Sequence, residues 1–563
     1  MNDVVVLKLG SSALRSGADL PRVVSEIYRH VRLGEHVVAV VSAFAGVTDR
    51  ISFDARRWIA QPNAPALAAA LATGEVESAT QLVFALERSG VPVSFVDPRD
   101  VSFRTRGDRL NAEPASLDAI RLGQIVDQSP VTVIPGFYAL AEGSGVALLG
   151  RGGSDLTAVY LAERLRARCV LVKDVDGLYE ADPAQGGRRP RRFERAHYDD
   201  ALRVGGELIQ AKAIEHARAA HQAVEIRAIG ERAGTYLGPD ASSLIHSRAP
   251  KPLKVFLCGL GTVGKGVHEF LTANPDRYRL TGILVRHPLK HLKSGIPEDL
   301  LVVDPCEALE RALKEKSDVV IEVMGGLEPA YRITLAALAA GRGVVTANKE
   351  LIASHWDKLA PYLVGEHPRL RCSAAVGGAV PMMELVQRLV TRGLTIEAIR
   401  GVVNGTSNFI LDQLATGQSL DDAVCEAQAQ GFAEADPSAD VDGIDAARKI
   451  EILARLAWGH RPLTMLVTGI RDVPGTLPQL GRSCRLVASA QREGGARVGP
   501  EWLAETDYLA HARGAENRLE VTTTDGQVHH VSGLGAGRYP TATAILADLL
   551  EVSLASSIRP ANR

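Results

Sequence analysis

Short apolar runs recur through the first 240 or so positions, at Val4 to Leu9, Val37 to Val41, Val131 to Ile134, Val170 to Val172 and Val224 to Ile229. Longer stretches rich in Ala, Leu, Glu and Arg separate them, which predicts strands alternating with helices in α/β order. Between Pro239 and Lys251 the chain turns short, polar and proline-bracketed, and a new strand begins directly behind it. That marks the main predicted boundary. From Lys254 to about Cys372 the alternation repeats, with strands at Leu280 to Val285, Val319 to Val323 and Val344 to Ala347. Beyond Pro381, helical patterns over Met382 to Val390, Leu420 to Ala429 and Ile444 to Trp458 mix with a strand at Ile396 to Val403, as in an α+β domain. The Gly-, Arg- and Thr-rich stretch from about 480 to 530 shows no clear period. The expected domains are residues 1–245, 252–375 and 376–563.

At 563 residues the chain has room for several cores. Its 64 Lys plus Arg against 66 Asp plus Glu leave a formal charge of −2, so no general attraction to nucleic acid or anionic lipid is expected. Six cysteines stand far apart, at 169, 258, 306, 372, 425 and 484, with no C-x-x-C pair. This argues against a zinc ribbon or disulfide framework and for a reducing compartment. The opening apolar run is too short for a signal segment, and no later run approaches the roughly 20 apolar residues of a membrane span. A soluble, unprocessed, cytoplasmic protein acting on small molecules is expected.

Two signatures carry chemistry. Val255 to Gly264 reads as a strand entering G-x-G-x-x-G, with Gly259, Gly261, Thr262, Val263 and Gly264 forming the turn that brings a pyrophosphate to a helix N-terminus. The next strand ends at Arg286 rather than at an acidic residue, and a guanidinium suits a ribose 2′-phosphate, which favours NADP(H) over NAD. The second signature is the run from Gly431 to Lys449, which gathers Glu434, Asp436, Asp440, Asp442, Asp445 and Lys449. Asp445 and Lys449, four apart, share one helical face. Further loops at Met324, Gly325 and Gly326, and at Asn348 and Lys349, follow predicted strands, where an α/β sheet binds ligands. Cys372 has no matching histidine motif, so an aldehyde dehydrogenation through a cysteine nucleophile is not expected.

With Ala375-Val-Gly-Gly-Ala-Val-Pro381, Val403-Asn-Gly-Thr-Ser-Asn408 and Gly535-Ala-Gly-Arg-Tyr-Pro540, these motifs resemble homoserine dehydrogenases over nearly all of 254–563. The resemblance implies a Rossmann-type NADP domain, an α+β catalytic and dimerisation domain, and interconversion of L-homoserine with L-aspartate 4-semialdehyde in threonine and methionine biosynthesis. It implies Lys449 and Lys349 for proton and oxyanion work, with Asp445 orienting Lys449. Glu434 and Asp440 would grip the substrate ammonium, while Asn404, Gly405 and Thr406 would contact the substrate. Met324, Gly325, Asn348 and Gly537 would join the cofactor site. A monovalent cation, Na or K, would sit near the carbonyls of Val376 and Gly378. Ser373 departs from the acidic residue common just before that segment, which puts the cation in question.

The first half carries Lys8-Leu-Gly10-Ser11-Ser12, Ser42 to Asp49, Glu75, Gly150-Arg151-Gly152-Gly153-Ser154-Asp155 and Lys173-Asp174-Val-Asp176-Gly-Leu-Tyr179. In this order they resemble aspartokinases, which implies an amino-acid-kinase αβα sandwich, ATP with Mg, and aspartate held by Glu75, Arg151, Ser154 and Asp155. On the nucleotide side Ser11, Ala184 and Glu207 depart from the usual residues, leaving Lys173 and Lys212 as substitutes. Two outcomes stay open: an aspartokinase, and a weak or silent aspartate-sensing scaffold. The junction from 241 to 253 is too short for a regulatory ACT domain.

Overall fold

The computed structural model describes residues 3–183, 189–206, 208–231, 233–246, 251–365, 368–433, 436–471, 473 and 481–557. The chain divides into two compact units, one over residues 1–88 and 92–250, the other over residues 89–91 and 251–563.

In the first unit, the strand Val4–Leu9 lies between His36–Val41 and Arg168–Lys173, with parallel pairing on both sides. Val131–Pro135 and Val93–Phe95 extend one flank, Val224–Ala228 the other, and a mixed margin of Thr235–Gly238, Arg192–His197 and Ser243–Ile245 completes nine strands. The apolar runs are unbroken because these strands are buried on both faces. A separate four-stranded sheet holds Glu113–Ser116, Arg104–Arg106, Tyr138–Leu140 and Val146–Leu148.

Helix Leu20–Arg32 buries charge as well as hydrocarbon. Glu26, fully inaccessible, pairs with Arg29 at 2.7 Å and Arg227 at 3.2 Å and accepts the Gly230 amide at 2.9 Å. Burial alone would raise its carboxyl; Arg29, His30 and Arg227 outweigh that and hold it well below the usual carboxylate range. His30 in turn bonds Glu35, which pairs with Arg168 at 2.7 Å.

The second unit opens with a six-stranded parallel sheet in the order Leu301–Val302, Tyr278–Leu284, Leu253–Cys258, Val319–Glu322, Gly343–Thr346, Leu370–Arg371. In chain order this is 3-2-1-4-5-6, the doubly wound arrangement whose crevice opens beside the first strand. A second six-stranded sheet runs Met465–Val467, Ala496–Ala504, Arg482–Gln491, Ile396–Val402, Glu516–Thr523, Val528–Leu534. Three of its longest strands come from the stretch whose period was illegible. They interrupt their apolar positions with charges that find partners, as Arg485 does with Asp412 at 2.9 Å. Helix Arg538–Ser557 returns to pack against helix Thr262–Ala273 and strand Gly343–Thr346.

Removing Glu26 as Glu26→Ala leaves Arg29 and Arg227 buried without their counter-charge, and should destabilise the first unit by about 3–5 kcal/mol. Denaturant unfolding measures this; a loss below about 1 kcal/mol would mean that water already neutralises the cluster.

Candidate active site

The cofactor cleft is shaped by what its glycines leave out. A Cβ on Gly259, where φ is +102°, would lie 2.8 Å from the Val323 carbonyl oxygen, and one on Gly264 would lie 2.3 Å from that of Gly259. Both positions require glycine. The space beside Gly261 is open, and it N-caps helix Thr262–Ala273 without any side-chain cap, so the amides of the first turn, Thr262 and Val263 among them, stay available to an anion. Gly259, Gly261, Arg286, Met324 and Gly325 line a cavity of about 410 Å³. It also takes in His287, Lys290 and His291, three basic residues that the motif spacing did not single out. Asn348 and Gly537 lie outside its lining.

A buried carboxylate organises the neighbouring loops. Glu322 ends the fourth strand, accepts the Thr346 hydroxyl at 2.6 Å and the Met324 amide at 2.8 Å, and is raised by burial against those bonds. Thr346 Oγ1 accepts the Asn348 amide at 3.0 Å, Asn348 Nδ2 donates to the Gly326 carbonyl at 2.7 Å, and Asn348 Oδ1 caps the helix that Lys349 begins. The strand end thus fixes where Lys349 starts.

Lys349 reaches Asp445, on the first turn of helix Ile444–Trp458, and one turn on Lys449 closes on the same carboxylate at 2.8 Å. Lys449 Nζ also donates to the Val403 carbonyl at 2.7 Å. Asp445 is 2% exposed. Burial would push its carboxyl up, but Lys449 and Lys349 outweigh burial and hold it well below the usual range. Lys349 shows the complement: burial would lower its ammonium, and Asp445 raises it instead. The neighbouring lysine therefore does not bring Lys349 toward neutral pH, because the shared carboxylate dominates. Asp440 is raised, by burial and then by the charge of Asp445.

Asn404 ties this centre together, donating from Nδ2 to Asp440 at 2.6 Å and Asp445 at 2.8 Å while its Oδ1 caps Ser407. The Thr406 hydroxyl donates to the Phe432 carbonyl at 2.6 Å, and Gly405 is pressed against Ala515, where a Cβ would come within 2.7 Å of its carbonyl oxygen. The side chains expected to meet a substrate carboxylate are thus engaged within the fold. Glu434 lies outside the described residues. Ser373 donates to Asp548 at 2.8 Å and bonds Glu384; Val376 is buried, and Gly378 packs on the Gly535 carbonyl. Among the described residues no group of three or more His, Cys, Asp or Glu is placed to hold a metal ion. The Cys372 thiol is buried and pushed well above its usual range, unsuited to nucleophilic work.

In the first unit a larger cavity, about 910 Å³, is lined by Lys8, Gly10, Ser11, Ser12, Ser42, Glu75, Arg151, Gly152, Gly153, Ser154, Asp155, Lys173 and Asp174. Thr48, Asp49, Ser52, Arg56 and Gln210 also line it; of these only Thr48 and Asp49 fell within a motif read from the sequence. Asp155 bridges Lys8 at 2.8 Å and Lys173 at 3.0 Å. Burial, with the charge of Lys8, brings the Lys173 ammonium down to about 8, and burial lifts the Glu75 carboxyl to about 8 against the pull of Lys8. Asp176 and Tyr179 are absent from the lining: they bond each other at 2.6 Å, with Arg189 and Arg192 beside Asp176. Lys212 is absent too. It donates to the Ala112 and Leu149 carbonyls and to Asn111, and pairs with Glu113. Ala184 and Glu207 lie outside the described residues.

Residues 381–550 match the homoserine dehydrogenase family, residues 259–362 its NAD-binding domain, and residues 3–229 the amino acid kinase family. The homoserine dehydrogenase of Corynebacterium glutamicum is 36% identical over 318 residues, covering 53% of this chain and 71% of the relative. That of Pseudomonas aeruginosa is 34% identical over 335 residues, covering 56% and 75%. A solved homoserine dehydrogenase from Thiobacillus denitrificans superposes on 55% of this chain and 74% of its own, at 34% identity and a TM-score of 0.48. The chain belongs to the homoserine dehydrogenase family, with an amino acid kinase family unit joined ahead of the dehydrogenase.

Proposed function

We propose that residues 252–563 interconvert L-homoserine and L-aspartate 4-semialdehyde with NADP(H), using Lys349 for the proton and Lys449 for the oxyanion. The observation that carries these roles is the buried Asp445 carboxylate shared by a lysine from the edge of the nucleotide sheet and a lysine from the catalytic helix. When bound, the nicotinamide supplies or accepts the hydride. The chain's own residues manage the oxygen. In reduction the Lys349 ammonium gives its proton to the oxygen as negative charge develops there, and in oxidation the neutral amine takes it back. Lys449, held by Val403 and Asp445, stabilises that oxygen as a fixed donor. Asp440 accepts the substrate ammonium, with Glu434 as its partner. Arg286 at the cleft supports the preference for a 2′-phosphate.

Consumption of NADPH with the semialdehyde, beside NADH, tests the reaction and the cofactor together. No turnover with either rejects the reading, and a strong NADH preference rejects the role of Arg286.

Lys349→Ala and Lys449→Ala should each lower kcat by about 10²–10⁴, the usual contribution of a positioned proton-transfer group, in chains shown by circular dichroism to be folded. Because Asp445 raises Lys349, homoserine oxidation, which needs the neutral amine, should keep rising into the alkaline range. Asp445→Asn should move that limb to lower pH, and an unchanged profile would remove Lys349 from the proton step.

For the first unit a second reading has its own support: a site that keeps aspartate recognition but binds ATP weakly. Lys8 and Lys173 are both neutralised by Asp155, and Lys212 is engaged by carbonyls. Losing two charge-assisted bonds of roughly 1.5–3 kcal/mol each weakens a triphosphate about a hundredfold or more. The full chain should therefore give little aspartyl phosphate in a hydroxamate assay and bind aspartate better than MgATP in calorimetry; robust turnover with tight MgATP binding would restore a working kinase.

A further inference from the structure

The lining of the cofactor cavity holds four basic residues within six positions: Arg286, His287, Lys290 and His291. Arg286, His287 and Lys290 are exposed, as expected for cations at the mouth of an anion site. His291 differs. It is 8% exposed, it lines the same cavity, and its Nδ1 is buried without a hydrogen-bond partner. A buried ring nitrogen with no protein partner costs free energy comparable to a lost hydrogen bond unless a ligand or water completes it.

The charges around His291 are of one sign. Lys265 on helix Thr262–Ala273 and Lys290 and His287 on its own segment face it, and with burial they push its imidazolium below the usual histidine range. No carboxylate figures among its causes of shift, so the unliganded ring favours the neutral form at neutral pH. A phosphomonoester brings close to two negative charges into this field and reverses it.

We propose that Lys290 and His291 complete, with Arg286, a phosphomonoester site in this cavity, and that binding a 2′-phosphorylated cofactor is coupled to proton uptake by His291. This rests on the NADP(H) reading above. Arg286 and Lys290 supply permanent charge, which makes recognition possible at every pH. His291 supplies a charge and a donor only when the phosphate is present, so discrimination against the cofactor lacking it is greatest at lower pH. A solvent proton goes to the ring, and no bond of the cofactor changes. The phosphate itself is about half protonated near pH 6, so the useful range ends above that value.

Calorimetric titration of the full chain with NADPH and with NADH, each in two buffers of different ionisation enthalpy, counts the protons directly and does not depend on turnover. NADPH should take up a fraction of a proton that NADH does not. Its affinity relative to NADH should rise as pH falls from 8.5 to 6.5, by up to about tenfold per pH unit, the limit for one linked proton. His291→Asn should flatten that slope, with NADH affinity measured beside it as the reference, and Lys290→Ala should weaken NADPH at all pH values. Equal proton counts for the two cofactors, or a full slope in His291→Asn, would overturn the linkage while leaving an NADP enzyme. No preference for NADPH at any pH would overturn the cofactor reading, and this inference with it.

Discussion

The dehydrogenase centre depends on keeping a carboxylate ionised where water barely reaches. Asp445 can hold its charge at 2% exposure only because two ammonium groups and the Asn404 amide surround it. That requirement couples elements far apart in the chain: the end of the fifth nucleotide strand through Asn348 and Lys349, the loop at Val403 and Asn404, and the helix that carries Asp445 and Lys449. Glu322 does the same one layer back, linking two strand ends through Thr346. Fold and site are therefore joined by one run of hydrogen bonds, from Glu322 through Thr346 and Asn348 to the start of the helix that Lys349 begins.

The first unit uses a similar device to a different end. Asp155 also bridges two lysines, yet there one lysine is pulled down to about 8, whereas Lys349 is raised. Burial together with the like charge of Lys8 lowers Lys173, whereas at Lys349 the Asp445 carboxylate outweighs burial. Lys173 is almost wholly enclosed and repelled by Lys8, while the Lys349 side chain keeps 38% of its exposure and faces the carboxylate. A lysine held near neutrality gives up its proton readily, whereas one held high stays charged and is a weaker acid, so the two triads keep the same residue types in different states.

Much of this was legible in the sequence because the signals were local. Unbroken apolar runs gave the central strands within a residue or two, G-x-G-x-x-G gave the turn, and the four-residue spacing of Asp445 and Lys449 gave one face of one helix. What escaped was non-local. The strands between 482 and 523 are built from mixed positions: Arg482–Gln491 and Ala496–Ala504 pair locally, but their place in the sheet is set by Ile396–Val402, far away in sequence. Lys212 stood as a substitute cation because nothing nearby in sequence reveals the four oxygens it meets. Likewise, Thr406 reads as a donor awaiting a substrate until Phe432 folds against it.

Buried ion triads also limit what a retained motif means. A buried pair contributes little net stability when formed, but breaking it by removing one member strands the others and costs several kcal/mol. Asp155 with Lys8 and Lys173 is such a set, so losing any one of them threatens the unit whether or not a phosphoryl group is ever transferred. Groups that would face a nucleotide carry no such penalty, since they stand toward solvent and can change freely. A unit drifting away from phosphoryl transfer would thus keep its buried aspartate and lysines and alter its outer positions first. Exposed Ser11, at the cavity, fits this pattern, and the buried triad is evidence for the fold before it is evidence for a kinase.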